Sequence, residues 1–282
     1  ARNYTFRVAA VPSVIPPAAV AWWRGESNVL DSIGTLHATL ADSPTGAVSY
    51  TDGVSGSAFQ FDGSGARLVI PAAAFPSPAI QAGDPFTFET WFRTSRPGVI
   101  LGRQDADFPQ VPAYSVPALY VGQNGQLHAQ LFANGSRSPL VSTTRVDDGQ
   151  QHHVAVTFAA GVQQLYLDGV LIATRTGFTQ VHDSIANGYR FQLGTGYTSG
   201  WPQGNGSWMH FNGIIDEPAT YARALTPAEI AAIHTAGDAG KLRPANVVAT
   251  VLPAGRVDQD YRVAGILGAV RSREGGRAQR AE

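Results

Sequence analysis

Cysteine is absent from the 282 residues, so neither disulfides nor thiolate zinc sites hold the fold; packing, hydrogen bonds or oxygen-ligated metal must do so. Lysine is almost absent as well: of 20 basic residues only Lys241 is Lys and the rest are Arg. Charged residues make up only 15% of the chain, yet no apolar run approaches the roughly 18 residues that a membrane helix needs. No basic-then-apolar leader opens the sequence, which begins at Ala1 rather than Met, as a processed or trimmed product would. What is abundant is apolar and turn-forming. Hydrophobic residues at 44% are too many for a disordered chain, and 31 Gly with 18 Pro are too many for a helical bundle, which leaves a β-rich globular protein.

The net charge of −1 conceals an asymmetry, because residues 241–282 hold eight basic and four acidic side chains while residues 1–240 hold 12 and 17. The body is therefore mildly acidic. A nucleic-acid binder concentrates Arg and Lys on the folded body among aromatics, and nothing here does so.

Three regions follow from the pattern along the chain. Residues 1–20 contain one alternating stretch, Tyr4, Phe6 and Val8, followed by a spacer with Pro12, Pro16 and Pro17. Residues 21–240 repeat short period-2 runs between Gly, Asp, Asn and Pro clusters, the spacing of a sandwich or barrel rather than of strands alternating with long helices. Asn124-Gly125 and Asp168-Gly169 supply the positive φ of tight hairpins. One helix is specified, with Thr226 as N-cap, Pro227 in the first position, Glu229 closing a capping box and Gly237 as the stop. Residues 241–282 add one or two strand-like runs and an Arg- and Gly-rich tail.

Four motifs in this order carry a family resemblance: Gly56-Ser-Ala-Phe-Gln-Phe-Asp-Gly-Ser-Gly65; Phe86-Thr-Phe-Glu-Thr-Trp-Phe92; His152-His-Val-Ala-Val-Thr-Phe158 leading into Leu165-Tyr-Leu-Asp-Gly-Val-Leu171; and Phe211-Asn-Gly-Ile-Ile-Asp-Glu217 followed by Ala224-Leu-Thr-Pro-Ala-Glu-Ile230. Together they resemble the laminin-G-like, concanavalin A-like jelly-roll superfamily over about residues 21–237. The resemblance implies an all-β fold, a two-sheet antiparallel jelly-roll sandwich with one short helix near its C-terminal side. It also implies structural roles for Trp22, Trp23, Phe61, Trp91, His152 and His153.

Some members of that superfamily are glucanases, whose Glu-x-Asp-x-x-Glu or Glu-x-Asp-x-Glu strand aims two carboxylates at one glycosidic bond. Alternate residues on a strand face can bridge the about 5 Å that retaining chemistry requires. None of the five Glu after Glu26 stands in that pattern. Asp105 and Asp107 have period-2 spacing in a Pro-rich loop, and Asp216 and Glu217 are adjacent, which on a regular strand sends them to opposite faces. No Gly-x-Ser-x-Gly elbow or phosphate loop is present. The expectation is a protein without catalysis.

Residues 193–209 are the most unusual stretch. They place Tyr197, Trp201 and Trp208 in a Gly-rich loop with Gln203 and Asn205, and aromatic faces beside amide donors are what sugar recognition uses. The alternative is that Trp208 packs inside and Trp201 covers the sandwich edge. Residues 102–117, with Arg103, Gln104, Asp105, Asp107 and Tyr114, are expected to be a loop, either an opposing wall of that site or an ordinary solvated edge. The resemblance further implies a structural calcium ion at a sandwich edge, with Asp216 and Asp31 as its ligands; the alternative for Asp216 is a carboxylate that satisfies loop amides or pairs with Arg223. The functional expectation is a secreted or surface adhesion module that binds the glycan of a polysaccharide or glycoprotein. Two other accounts stay open: a structural subunit that self-assembles through its terminal strands, and a glycan-degrading enzyme whose carboxylates the fold brings together.

Overall fold

Strand β7 (Phe86–Thr94) shows how this sequence makes two layers. Phe86, Phe88 and Phe92 point one way, into the main apolar cluster, while Thr87, Glu89 and Trp91 alternate with them and point the other way. Both faces are covered, so both are buried. The computed structural model describes residues 13–75, 85–131, 136–177 and 189–242. The strand expected at Tyr4, Phe6 and Val8 and the extension beyond Leu242 lie outside the described residues.

In the sheet containing β7 the strand order is β14 (Val170–Arg175), β13 (Val162–Leu167), β12 (His152–Ala159), β7, β18 (Asn212–Tyr221), β5 (Ser57–Asp62) and β4 (Ser49–Asp52), with β2 (Ala19–Trp22) also pairing with β18. The facing sheet runs β11 (Leu140–Arg145), β10 (Gln126–Ala129), β9 (Ser115–Val121), β8 (Gly98–Gln104), β15 (Arg190–Leu193), β6 (Arg67–Ile70) and β3 (Thr39–Ala41). Every pairing within both sheets is antiparallel. This is the two-sheet sandwich expected from the motifs.

Between the sheets lie Trp23, Phe59, Phe61, Phe75, Phe86, Phe88, Phe92, Phe158, Phe191 and Phe211, and Phe75 stacks on Phe191 with ring centroids 3.7 Å apart. Each buried ring contributes on the order of 2–3 kcal/mol by leaving water. A second apolar cluster forms outside the β7 sheet, where helix α1 (Pro227–Ala236) lays Ile230 and Ile233 on Trp22, Tyr166 and Tyr221. Trp91 is buried in that outer layer and not between the sheets: its ring stacks on His234 of α1 at 5.4 Å. The Asp168-Gly169 turn forms as the dipeptide requires, with φ 50° and 79°, whereas the β9–β10 connection is a four-residue turn over 122–125 in which Gly125 takes the positive φ, at 77°. Two small sheets complete the topology: β16 (Thr195–Tyr197) with β17 (Trp208–His210), and β1 (Ser13–Val14) parallel to β19 (Lys241–Leu242).

The stretch expected to be a loop from Gly102 to Pro117 is shorter than its Pro content suggests. β8 continues to Gln104 and β9 begins at Ser115, so only 105–114 is loop, and Arg103 and Gln104 are strand residues with opposite orientations.

Candidate functional site

The outer face of the seven-stranded sheet carries a polar cluster built by register. β15 pairs Arg190 with Gln104 and Gln192 with Gly102, which puts Arg190, Gln192 and Gln104 on one face. β6 pairs Val69 with Gln192, so Arg67, two residues away, shares that face. Asp107 reaches back from the 105–114 loop to tie these strands together. Its Oδ1 accepts from Gln192 Nε2 at 2.9 Å and lies 3.8 Å from Arg67 Nη2, while its Oδ2 lies 3.2 Å from Arg190 Nε.

This cluster is under-satisfied. Both amide atoms of Gln104, Gln192 Oε1 and Arg67 Nε are buried without a hydrogen-bond partner. Buried polar groups are ordinarily paired, because each unpaired one costs about 1–3 kcal/mol. The cluster nevertheless opens at its rim, where the side chains of Asp107 and Arg190 are 41% and 44% exposed. Tyr114, 55% exposed, stands beside it, its N–H donating to Asp105 Oδ1 while Arg190 Nη1 donates to Asp105 O. Phe108 closes the other side, edge-on to Trp208 and His210. Burial and the charge of Arg67 hold the His210 imidazole below its ordinary value. The half-exposed ion-paired rim and the exposed Tyr114 are suited to hydroxyl-bearing ligands, while the unpaired amide atoms lie beneath them, out of contact with solvent.

The loop singled out in the sequence forms a wall of this region in a different way from that expected. Trp201 belongs to the main core, its Nε1 donating to Ser115 O, with the Arg137 guanidinium 5.9 Å over its ring. Trp208 is also buried, donating to Gln110 O and packing edge-on against Tyr197. Neither indole is an open stacking platform, because each N–H found a carbonyl on the 105–115 segment. Asn205 is consumed internally, accepting from Thr198 Oγ1 and the Ser207 N–H and donating to Trp208 O. Gln203 is exposed, at φ 54°, and its carbonyl accepts from the Gln123 N–H. Of the five residues, Gln203 and Asn205 are exposed and Tyr197 is partly so, while the two indoles are buried.

Asp31 and Asp216 do separate work. The carboxylate of Asp31 accepts from the backbone N–H groups of Trp22, Ile33, Gly34 and Leu36, which fills both oxygens with donors. Oδ2 of Asp216 accepts from the N–H groups of Val54 and Ser55, the loop-amide role weighed for it, while Arg223 pairs with Glu229 instead. Four N–H dipoles directed at Asp31 are the opposite of what a calcium ligand needs, so this pair does not fit the ion. Among the described residues no three His, Asp or Glu side chains are grouped as metal ligands. Asp216 Oδ1 is buried without a partner, and burial raises this carboxyl to about 6.

A second ionic centre, which sequence reasoning missed, lies under the helix-covered face. Lys241 Nζ is 2.6 Å from Glu89 Oε1 and donates to Glu217 O at 2.8 Å. Glu89 also accepts from Tyr221 OH at 3.0 Å and lies 3.1 Å from His153 Nε2. Glu217 Oε2 accepts from Trp22 Nε1 at 2.8 Å, and Arg24 Nε lies 3.4 Å from Oε1. A β-bulge between Asp216 and Ala219, with Glu217 at φ 57°, overrides the alternation that separates adjacent side chains on a regular strand. Both carboxylates come under the influence of Lys241 as a result. Burial pushes Glu217 up to about 7, whereas for Glu89 burial is outweighed by Lys241 and His153, which hold it below the usual range. The available signal was Glu89 itself, a carboxylate in mid-strand with aromatic residues on both faces.

Among the described residues, two facing antiparallel sheets and one capped α-helix define a jelly-roll sandwich. The chain belongs to the concanavalin A-like lectin/glucanases superfamily, whose laminin-G model matches residues 62–231. No curated protein matches the sequence. Among solved structures, the chain is similar to domain 4 of AbnA, an extracellular GH43 arabinanase from Geobacillus stearothermophilus, in complex with arabinotriose. That match has 19% identity over 76% of this chain and 96% of that one, at a TM-score of 0.53. It is similar to Trypanosoma rangeli sialidase in complex with sialic acid, at 16% identity over 80% of this chain and 36% of that one, at a TM-score of 0.52. The binding domain of botulinum neurotoxin DC in complex with rat synaptotagmin II follows at 11% identity, 77% and 51% coverage, and a TM-score of 0.50. The chain spans nearly all of the arabinanase domain and about a third of the sialidase. At these identities the likeness is one of fold.

Proposed function

We propose that this chain is a non-catalytic carbohydrate-binding module that works outside the cell and binds glycan at the outer face of the seven-stranded sheet. The observation that carries this reading is the half-exposed, ion-paired rim of Asp107 and Arg190, which stands over the buried polar side chains of Gln104, Gln192 and Arg67. Sugar hydroxyls both donate and accept and so can pair with the carboxylate and guanidinium of that rim, and Tyr114 is an exposed aromatic residue on the same loop. The arabinotriose held by the arabinanase domain and the sialic acid held by the sialidase support a sugar ligand. The absence of catalysis is supported by the carboxylates themselves. Glu89 and Glu217 are brought together by the fold but sealed beneath Lys241 and Trp22, beyond the reach of a glycosidic oxygen.

The test is retention of the full chain on a panel of immobilised glycans that includes arabinan and sialylated chains. Tyr114→Ala and Arg190→Ala change exposed or half-exposed side chains, so the melting temperature is expected to hold while affinity falls about tenfold or more. Absence of retention on every glycan, or retention untouched by both variants, overturns the reading.

A further inference from the structure

Lys241 is the only lysine in the sequence, and the fold places its ammonium group between two glutamates in a buried aromatic shell. Nζ lies 2.6 Å from Glu89 Oε1 and 3.8 Å from Glu217 Oε2, and 5.3 Å from the ring centre of Trp22. The two carboxyl groups have different surroundings. Glu89 receives Lys241, Tyr221 OH and the His153 ring, a set that favours its anion. Glu217 has one of its oxygens held by the neutral Trp22 N–H and its other oxygen near the half-exposed Arg24, and it shares the lysine charge with Glu89.

We infer that Lys241 and Glu217 condense to a side-chain amide, which fastens the last described strand to β18. Glu89 is the base in this assignment. Lys241 Nζ gives one proton to the Glu89 carboxylate, and the freed lone pair attacks Cδ of neutral Glu217, the form that desolvation favours. Trp22 Nε1 donates to Oε2, the oxygen that becomes the amide carbonyl, and so polarises the bond under attack. The Nζ–Cδ bond forms and the Cδ–Oε1 bond breaks. Oε1 leaves as water, carrying its own carboxyl proton and a second proton from Nζ, on the side where Arg24 opens to solvent. The products are one amide, one water and a protonated Glu89, with charge conserved and no outside reactant.

The geometry also gives the bond a purpose. Among the described residues β19 is two residues long and pairs with the equally short β1, so backbone hydrogen bonding there holds it weakly. Residues 237–240 before it turn at Gly237 and Gly240, both at positive φ. A covalent link from Lys241 would transmit tension from the chain beyond it directly into the central strand β18.

The test is the intact mass of the purified full chain under denaturing conditions. The expected wild-type mass is one water below the sequence mass, and tryptic mapping is expected to recover Lys241 joined to the peptide that contains Glu217. Lys241→Arg keeps the charge but removes the amine and is expected at full mass; Glu89→Gln keeps the shape but removes the base and is expected to be unlinked. Wild-type protein at the full sequence mass overturns the inference without recourse to any variant. A water loss that persists in Lys241→Arg, as an aspartyl-glycine succinimide at Asp168-Gly169 would give, overturns it equally.

Discussion

Arg223 grips Glu229 through both carboxylate oxygens, with Nη2 2.6 Å from Oε1 and Nη1 2.7 Å from Oε2. Oε2 also accepts from the Thr226 N–H at 2.9 Å, so the ion pair and the capping box of helix α1 share one carboxylate. Arg223, and then the Thr226 contacts, hold Glu229 down to about 2 against the effect of burial. The folded value lies below the unfolded value of about 4.3, so this contribution is complete above that pH and is lost as pH falls toward 2. Glu229→Gln is expected to cost about 1 kcal/mol at pH 6, and much less near pH 2, in urea titrations. An equal cost at both pH values would contradict the assignment.

His128 makes the second acid-sensitive contact. Its ring stacks on Tyr120 at 4.8 Å with an interplanar angle of 12°, Nε2 lies 3.2 Å from Asn124 Oδ1, and Nδ1 is buried without a partner. Burial lowers the imidazole to about 4. Below the unfolded value of about 6.5 the unfolded chain binds a proton that the folded chain refuses, so stability falls from there down to about pH 4. His128→Phe preserves the stacking and is expected to flatten the stability profile between those limits. A profile of unchanged slope would show that another group titrates there.

Gly194 brings the backbone against the core ring of Phe61. At φ 91°, a Cβ added there would lie 2.3 Å from two ring atoms of Phe61, which is fully buried and cannot retreat. Gly194→Ala is expected to cost about 3 kcal/mol or to prevent folding, combining strain with overpacking. Gly149, at φ 77° with nothing within 4 Å, isolates the strain alone, so Gly149→Ala is expected to cost about 1 kcal/mol. Denaturation midpoints that rank the two in the opposite order would refute this account of Gly194.

How much of this was readable in the sequence depends on how local each signal is. The α1 cap and the Asp168-Gly169 turn were legible because both ends of each interaction lie within four residues. The sandwich was legible because its strands alternate and its motifs keep their order. The site was legible only in composition. An indole in a Gly-rich loop looks the same in sequence whether it faces solvent or finds a carbonyl, and Trp201 found Ser115, 86 residues away. Gln104 read as loop because Pro residues follow it, yet its strand continues through pairing with Arg190. The Lys241 centre joins residues 152 positions apart beneath a helix, and no periodicity says which element will cover a strand's outer face.

Asp31 gives the sharpest contrast between calcium and hydrogen bonding as the source of order at the edge loops. A carboxylate receiving four N–H donors is a strong charge-assisted cap. Asp31→Asn keeps the shape but halves the acceptor capacity and turns an –NH2 toward N–H groups, and it is expected to cost about 2–3 kcal/mol. Asp216→Asn is expected to cost less, because one of its oxygens already lacks a partner and its amide can still accept from Val54 and Ser55. Neither cost depends on metal. The melting temperature of the wild-type chain is therefore expected to be the same in EDTA and in millimolar calcium, since an ion that binds only the folded state stabilises it by RT ln(1 + [L]/Kd). A chelator that lowers the wild-type melting temperature but leaves Asp31→Asn unmoved would return Asp31 to the role of a metal ligand.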